Sequence, residues 1–149
     1  MKTKEEILAL LPYGPGFTFV DELSYLDEQR VEGHYHFKPE SYFYAHHFKD
    51  KPVTPGVILT ECMAQIGLVS LGLFLLLKER PKEPETKPLK IAFTEAQVQF
   101  KKPVLPGETV SVTAEKIYWR MGKLKVKTEM RIDSNKVVCS GTLSGMIFK

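Results

Sequence analysis

Apolar residues along this chain follow two rhythms, and the switch between them marks out its architecture. From Val57 to about Glu79 they run almost unbroken, with Ala64, Gly67, Ser70 and Gly72 as the small positions. A helix apolar on every side has to be wrapped by other structure, and small residues let a sheet or a second helix come close. From Ile91 onward the period drops to two. Strands read at 91–102, 108–120, 123–133 and 136–148, with turns at Pro103–Gly107, Met121-Gly122 and Ser134-Asn135. Ahead of the helix the elements are shorter. Thr3 and Glu6 form a capping box for a short helix carrying Ile7, Leu8, Leu10 and Leu11, which Pro12 stops. The run 17–27 (FTFVDELSYLD) reads as a strand. After a turn at Asp27-Glu28, residues 30–37 alternate, with Val31, Tyr35 and Phe37 on one face and His34 and His36 on the other. Two strands, one long central helix and four more strands predict an α+β domain over residues 1–149, an antiparallel sheet of about six strands curled around the helix. Arg80–Lys90, with three prolines and no apolar period, reads as a surface loop.

Composition changes this picture little. The chain has 149 residues, 43% hydrophobic and 26% charged, enough for one sizeable core. A net charge of +3 is too mild to argue for nucleic acid, but it suits a small acidic protein partner. Cys62 and Cys139 stand in apolar helix and strand contexts and are expected to be free, buried thiols. The opening MKTKEEILALLPYG is interrupted by acids and does not read as a signal peptide. The densest apolar run, Ile66–Leu77, falls short of the ~20 residues that cross a bilayer. A buried helix and a cytoplasmic protein are therefore expected, with no membrane partner. His34 and His36 could hold a metal as a pair, but no third ligand stands at a suitable spacing, and exposed strand histidines are expected.

Candidate chemistry concentrates in Tyr42–Gln65. His46 and His47 sit in an aromatic-rich segment, Pro52 and Pro55 forbid helix there, and a helix should start at about Gly56. Its first free N–H groups and the positive end of its dipole then face the loop bearing the histidines. Glu61 lies in the second turn among Val57, Ile58, Leu59, Cys62, Met63, Ala64 and Ile66, and buried carboxylates are rare unless paired or employed. A histidine, a helix N-terminus and a half-buried glutamate supply a base, an amide donor and an acid. Together they can remove a proton beside a carbonyl and expel a neighbouring hydroxyl. The residues alone equally allow a glutamate at the rim of a helix and two surface histidines.

The stretch HHFKDKPVTPGVILTECMAQ resembles the signature of the bacterial 3-hydroxyacyl-[acyl-carrier-protein] dehydratases of FabZ/FabA type, which have a hot-dog fold. That signature runs His-Phe-Pro-Gly, a charged residue, Pro-Val-Met-Pro-Gly, apolar residues, Glu or Asp, and Ala-Met-x-Gln. A second stretch, Phe100–Glu108, resembles the family's Arg-Phe-Lys-x-Pro-Val-x-Pro-Gly-Asp, with Gln99 in place of Arg. The opening is similar too, through Leu11-Pro12, Phe17 and Val20-Asp21, but Tyr13 and Gly14 stand where the family usually carries His-Arg. His46 replaces a Gly and Lys49-Asp50 replace Pro-Gly, so a looser loop is expected there.

The resemblance implies that His47 is the catalytic base and Glu61, fourteen residues on, the catalytic acid. The amide of Gly56, with Val57 beside it, would meet the thioester oxygen. Phe48, Pro55, Met63, Gln65, Phe93 and Phe100 would line the acyl tunnel. The implied reaction removes water from a (3R)-3-hydroxyacyl thioester on acyl carrier protein, giving a trans-2-enoyl thioester, in fatty-acid or related polyene biosynthesis. No metal and no cofactor are implied. His and acid would come from different subunits of a homodimer or trimer of dimers. Phe74–Leu77 and Tyr42, Phe43 and Tyr44 are candidates for the tunnel or for the dimer contact. Lys101, Lys102, Lys123, Lys125 and Lys127 would form either a basic rim for the carrier or ordinary solvated strand faces. Two other functions remain open at this point, a hot-dog acyl thioesterase and a non-catalytic acyl-binding partner subunit.

Overall fold

The capping box forms as the sequence predicts. Thr3 Oγ1 accepts from the Glu6 N–H, Glu6 reaches back to the Thr3 N–H, and helix α1 spans Lys4–Ala9. Ile7 is its single fully buried side chain, pressed into the common core. The computed structural model of the chain describes residues 2–80, 88–133 and 135–149. Most of the predicted Arg80–Lys90 loop, and Ser134 of the last turn, lie outside the described residues.

The strand expected from Phe17 begins only at Glu22. Pro15–Phe17 form a single 3-10 turn, and β1 covers Glu22–Leu26. The reason is local competition for backbone partners: the Phe19 N–H is taken by a side chain of the central helix, Gln65 Oε1, at 2.7 Å. An apolar, β-branched run satisfied in this way has no need of a neighbouring strand. β2 (Arg30–His36) alternates as expected, burying Val31, Gly33 and Tyr35. β3 (Lys90–Phe100), β4 (Thr109–Arg120), β5 (Lys123–Ile132) and β6 (Lys136–Phe148) follow close to their predicted bounds.

All six strands form one antiparallel sheet in the order β1-β2-β4-β5-β6-β3. The order puts β1 and β3 at the two edges. Helix α2 (Gly56–Glu79) lies in the concave side of the sheet as a hot-dog fold requires. Across Ala64–Val69 it widens to π-type hydrogen bonding, and Ser70 answers the change by sending both its N–H and its hydroxyl to the Gln65 carbonyl. The helix is long and apolar enough to cross a membrane, its most apolar 18 residues having mean hydropathy 1.8, but 83% of those residues are buried inside the fold. Burial by its own fold explains its character. Phe74, Leu75 and Leu76, candidates for the tunnel or dimer contact, belong to this core instead.

Close approach of helix and sheet rests on glycine. A Cβ on Gly72 would come within 2.3 Å of Ile147 Cδ1. Cys62 and Cys139 are free and buried. Cys139 packs on Met63 Sδ at 3.8 Å and Met130 Sδ at 3.9 Å, and burial raises both thiols well above the usual range for cysteine.

Edge strand β3 is different from its neighbours. Nearly all of its side chains are exposed, Phe93 at 47% and Phe100 at 52% among them. Its inner flank is hydrogen-bonded to β6, its outer flank to no strand among the described residues. Long, apolar, uncovered edges are what proteins normally avoid.

Candidate active site

The loop before α2 is pinned at several points, and this decides where His47 stands. The His47 N–H and the His46 N–H both reach the Phe43 carbonyl, while the Val53 N–H reaches the His47 carbonyl at 2.9 Å. Phe48 and Lys51 exchange two backbone hydrogen bonds around Lys49-Asp50, so the loop is closed and not loosened by the missing Pro-Gly. Thr54, almost fully buried, donates its N–H to Val104 and pairs its hydroxyl with Tyr44 Oη. Tyr44 and Phe43 are therefore buried props of this loop, whereas Tyr42 is exposed at 64%.

His47 Nδ1 lies 2.9 Å from the Val53 carbonyl. A carbonyl only accepts, so Nδ1 carries the hydrogen and Nε2 of the neutral ring keeps its lone pair free. That tautomer is the one a base needs. The ring is half-buried and stacks on Phe48 at 4.0 Å between centroids, with Phe48 itself 58% exposed. His46 is exposed and its ring has no hydrogen-bond partner among the described residues.

Pro55, buried, serves as the N-cap of α2 and its carbonyl accepts from Ile58 and Leu59. The N–H groups of Gly56 and Val57 are consequently left at the open end of the helix. The Phe100 ring lies over Gly56, so closely that a Cβ there would come 3.2 Å from Cε1. Thr54, Gly56, Leu59, Phe100, Lys101, Lys102 and Pro103 line an open cleft of about 310 Å³ at this point. Of the five candidate lysines, only Lys101 and Lys102 border it. Lys127 instead lines a groove on the outer face of the sheet with Glu115 and Glu129, and Lys125 approaches Glu95 at 3.8 Å.

Glu61 lines a second cleft of about 350 Å³, with Pro12, Tyr13, Phe17, Ala64, Leu68, Val69, Leu89, Ile91 and Phe93. Desolvation raises its pKa above the usual carboxylate range, and one hydrogen bond from Gln65 opposes that rise. Gln65 does not line the cleft. It is fully buried behind Glu61, and all of its amide is used: Nε2 donates to Glu61 Oε2 and to the Phe17 carbonyl, both at 2.9 Å, and Oε1 accepts from the Phe19 N–H. It is a positioning residue. Met63, also expected in the tunnel, is fully buried in the sulfur cluster of the core. Met63 turns toward the sheet and meets Cys139 of β6, whereas Gln65 turns toward the Phe17–Phe19 segment.

Phe93 and Phe100 do face clefts, but two different ones. Tyr13, Phe17, Ala64, Leu68, Val69, Leu89 and Ile91 were missed. Phe17 and Tyr13 could have been found from their place in the Leu-Pro opening that resembles the family; the helix positions carry no signal that separates cleft from core. Within one chain Glu61 and Gly56 border separate clefts, and His47 borders neither.

Replacing Gln65 by Leu is expected to leave the Phe19 N–H and Phe17 carbonyl without partners. At roughly 1–3 kcal/mol for each such group, the melting temperature should fall by roughly 5–15 °C. Thermal unfolding followed by circular dichroism checks this. Activity should drop as well, since Glu61 loses the donor that orients it.

Residues 11–140 match the family model described as FabA-like domain. The chain is 31% identical to the 3-hydroxyacyl-[acyl-carrier-protein] dehydratase FabZ of Herpetosiphon aurantiacus, over 99% of each chain. It is 33% identical to the FabZ of Clostridium perfringens, over 96% of each. Among solved structures, it superposes on a chain of the dehydratase heterocomplex ApeI:P from Xenorhabdus doucetiae with TM-score 0.78 at 13% identity, covering 96% of this chain and 91% of that one. The thioesterase HI1161 of Haemophilus influenzae gives 0.68 at 16% identity, covering 100% and 92%. At such identities the structural likeness speaks for the fold.

Proposed function

Since the chain belongs to the FabA-like domain family and is a 3-hydroxyacyl-[acyl-carrier-protein] dehydratase, we propose that His47 and Glu61 carry the elimination at a site shared by two copies of the chain. The observation that carries this reading is the placement of edge strand β3. Its Phe100 end lies over Gly56, beside the loop that holds His47, and its Phe93 end borders the cleft of Glu61. Within one chain these ends belong to separate clefts, Gly56 lining one and Glu61 the other, and His47 lines neither, so no single pocket gathers all three. A second copy pairing its own β3 antiparallel along the bare edge brings the Phe100 end of one chain against the Phe93 end of the other. That arrangement places base and acid together twice, related by a twofold axis. It also covers the exposed Phe93 and Phe100, and draws in Val57, which is 76% exposed at the start of α2.

At such a site the hydroxyacyl thioester lies with its carbonyl oxygen at the Gly56 and Val57 N–H groups. Their partial positive charge stabilises the enolate that forms when a proton leaves C2. His47 Nε2 takes that proton, the ring being fixed in the required tautomer by the Val53 carbonyl. The C2–H electron pair becomes the C2=C3 bond and the C3–O bond breaks. Glu61, whose pKa desolvation raises, acts in its protonated form and delivers its proton to the departing oxygen, which leaves as water. The substrate arrives on the phosphopantetheine arm of acyl carrier protein, and Lys101 and Lys102 beside the Gly56 cleft offer charge to that acidic partner. The reading sets the enzyme in the cytoplasm, where such carriers work.

The test is incubation of the purified chain with a 3-hydroxyacyl carrier thioester. Enoyl thioester and water are expected; release of free carrier thiol would mark a thioesterase, and no change would mark a binding subunit. Because Glu61 must be protonated, kcat should fall as pH rises through its elevated pKa. In Glu61→Gln the residual activity should lose that limb of the pH profile.

A further inference from the structure

The Glu61 cleft holds a second oxygen group that the proposed elimination does not use. Tyr13 lines the same cleft, its ring half-buried against Phe17 at 6.4 Å between centroids. Its hydroxyl has no hydrogen-bond partner among the described residues, although half-buried phenols normally find one. Glu61 is oriented to match: Gln65 occupies Oε2, and Oε1 accepts from no described group. Two oxygens with free hydrogen-bonding capacity therefore border one apolar cavity.

The segment bearing Tyr13 is tied down at several points. Thr18 Oγ1 donates to the Gly14 carbonyl at 2.7 Å, and the Gln65 amide ties Phe17 and Phe19 to α2. Burial and the adjacent Glu61 carboxylate push the phenol pKa up, well away from ionisation. A phenol so placed is a donor and not a base.

We propose that Tyr13 is a catalytic residue whose O–H donates to the C3 oxygen of the substrate, so that the departing hydroxyl is held between Tyr13 and Glu61. The inference rests on the reading of Glu61 as the acid. Bonds change as in the elimination above: the C3–O electron pair goes to oxygen, Glu61 supplies the proton that completes water, and Tyr13 keeps its own proton throughout. Its contribution is to spread the negative charge that grows on oxygen before Glu61 has fully transferred its proton. A position that departs from the family's usual His-Arg thus still carries a donor.

The experiment compares Tyr13→Phe, Tyr13→His and Glu61→Gln in two reactions. One is dehydration of a 3-hydroxyacyl carrier thioester. The other is exchange of deuterium from C2 of the saturated acyl carrier thioester, which needs the base and the amide donors but has no leaving group. Tyr13→Phe should lower kcat for dehydration roughly 10- to 100-fold, with KM and C2 exchange within about twofold and an unchanged melting temperature. Tyr13→His should recover part of the loss. Undiminished dehydration in Tyr13→Phe overturns the proposal. So does an equal fall in dehydration and exchange, which would mark a purely structural role. Glu61→Gln separates the two readings, since undiminished dehydration there sinks the assignment of the acid whatever Tyr13 does.

Discussion

Substituting Ala for His47, or Gln for Glu61, should reduce kcat for water elimination about 10³-fold or more, as expected for loss of a positioned base or acid. Neither change should unfold the protein. His47 is half-buried on a loop secured by backbone hydrogen bonds, and Gln is a near-isostere of Glu61 that can still accept from Gln65. Mixing the two defective chains makes the sharper measurement. If each site takes His47 from one copy and Glu61 from the other, a mixed dimer owns one intact site and one doubly defective site. Random reassortment of equal amounts should restore about a quarter of the wild-type rate from two nearly inactive stocks. Recovery staying at the level of the separate variants would show that each chain builds its own site. Steady-state kinetics on co-refolded or co-expressed chains gives the answer directly.

Gly141→Ala should be the most damaging single methyl that can be added to the sheet. Gly141 sits on β6 opposite Val98 of β3, and an added Cβ would lie 1.8 Å from the Gln97 carbonyl oxygen and 2.9 Å from the Val98 Cα. Neither of those is a flexible side chain, so the edge strand has to move as a whole. Overpacking of this kind costs roughly 1–3 kcal/mol and sometimes more. The functional effect should exceed that figure, because β3 carries Phe93 and Phe100 to their clefts and presents the edge on which we propose that a second copy pairs. Expected results are a melting temperature lower by roughly 5–10 °C, a shift toward monomer in light scattering and loss of most activity. Gly16→Ala makes the control: nothing lies within 4 Å of the site of the new methyl, and stability should hold within about 0.5 kcal/mol.

The sequence was informative wherever a residue's job is local or periodic. Thr3 and Glu6 announce a cap because that motif works within one turn of helix, and Val31 and Tyr35 announce a buried strand face through period two. The unbroken apolar run of α2 and the alternation after Ile91 together demanded a sheet around a helix, and one was found. Long-range partners were not readable. Phe17–Val20 has every property of a strand, yet its backbone is met by the Gln65 side chain 46 residues away from Phe19. Met63 and Gln65 sit on the same helix as Glu61, and nothing in a helix apolar all round tells which face meets a cavity and which meets the sheet. His47 and Glu61 could be named from motif spacing; Tyr13 stands in the Leu-Pro opening that resembles the family, but that it shares a cleft with Glu61 is a long-range fact that only the fold shows.

Gln65 grips the Phe17–Phe19 segment with one hand and the Glu61 carboxylate with the other. Swinging that segment away from α2, the simplest way to widen the cavity mouth on the Phe17 side, would rupture the same contacts that keep the acid aimed. Doorway and carboxyl are thus latched together: Glu61 keeps its orientation only while this wall stays shut, and on the proposed reading a bulky acyl chain that forces it outward would disable the very group it came to meet.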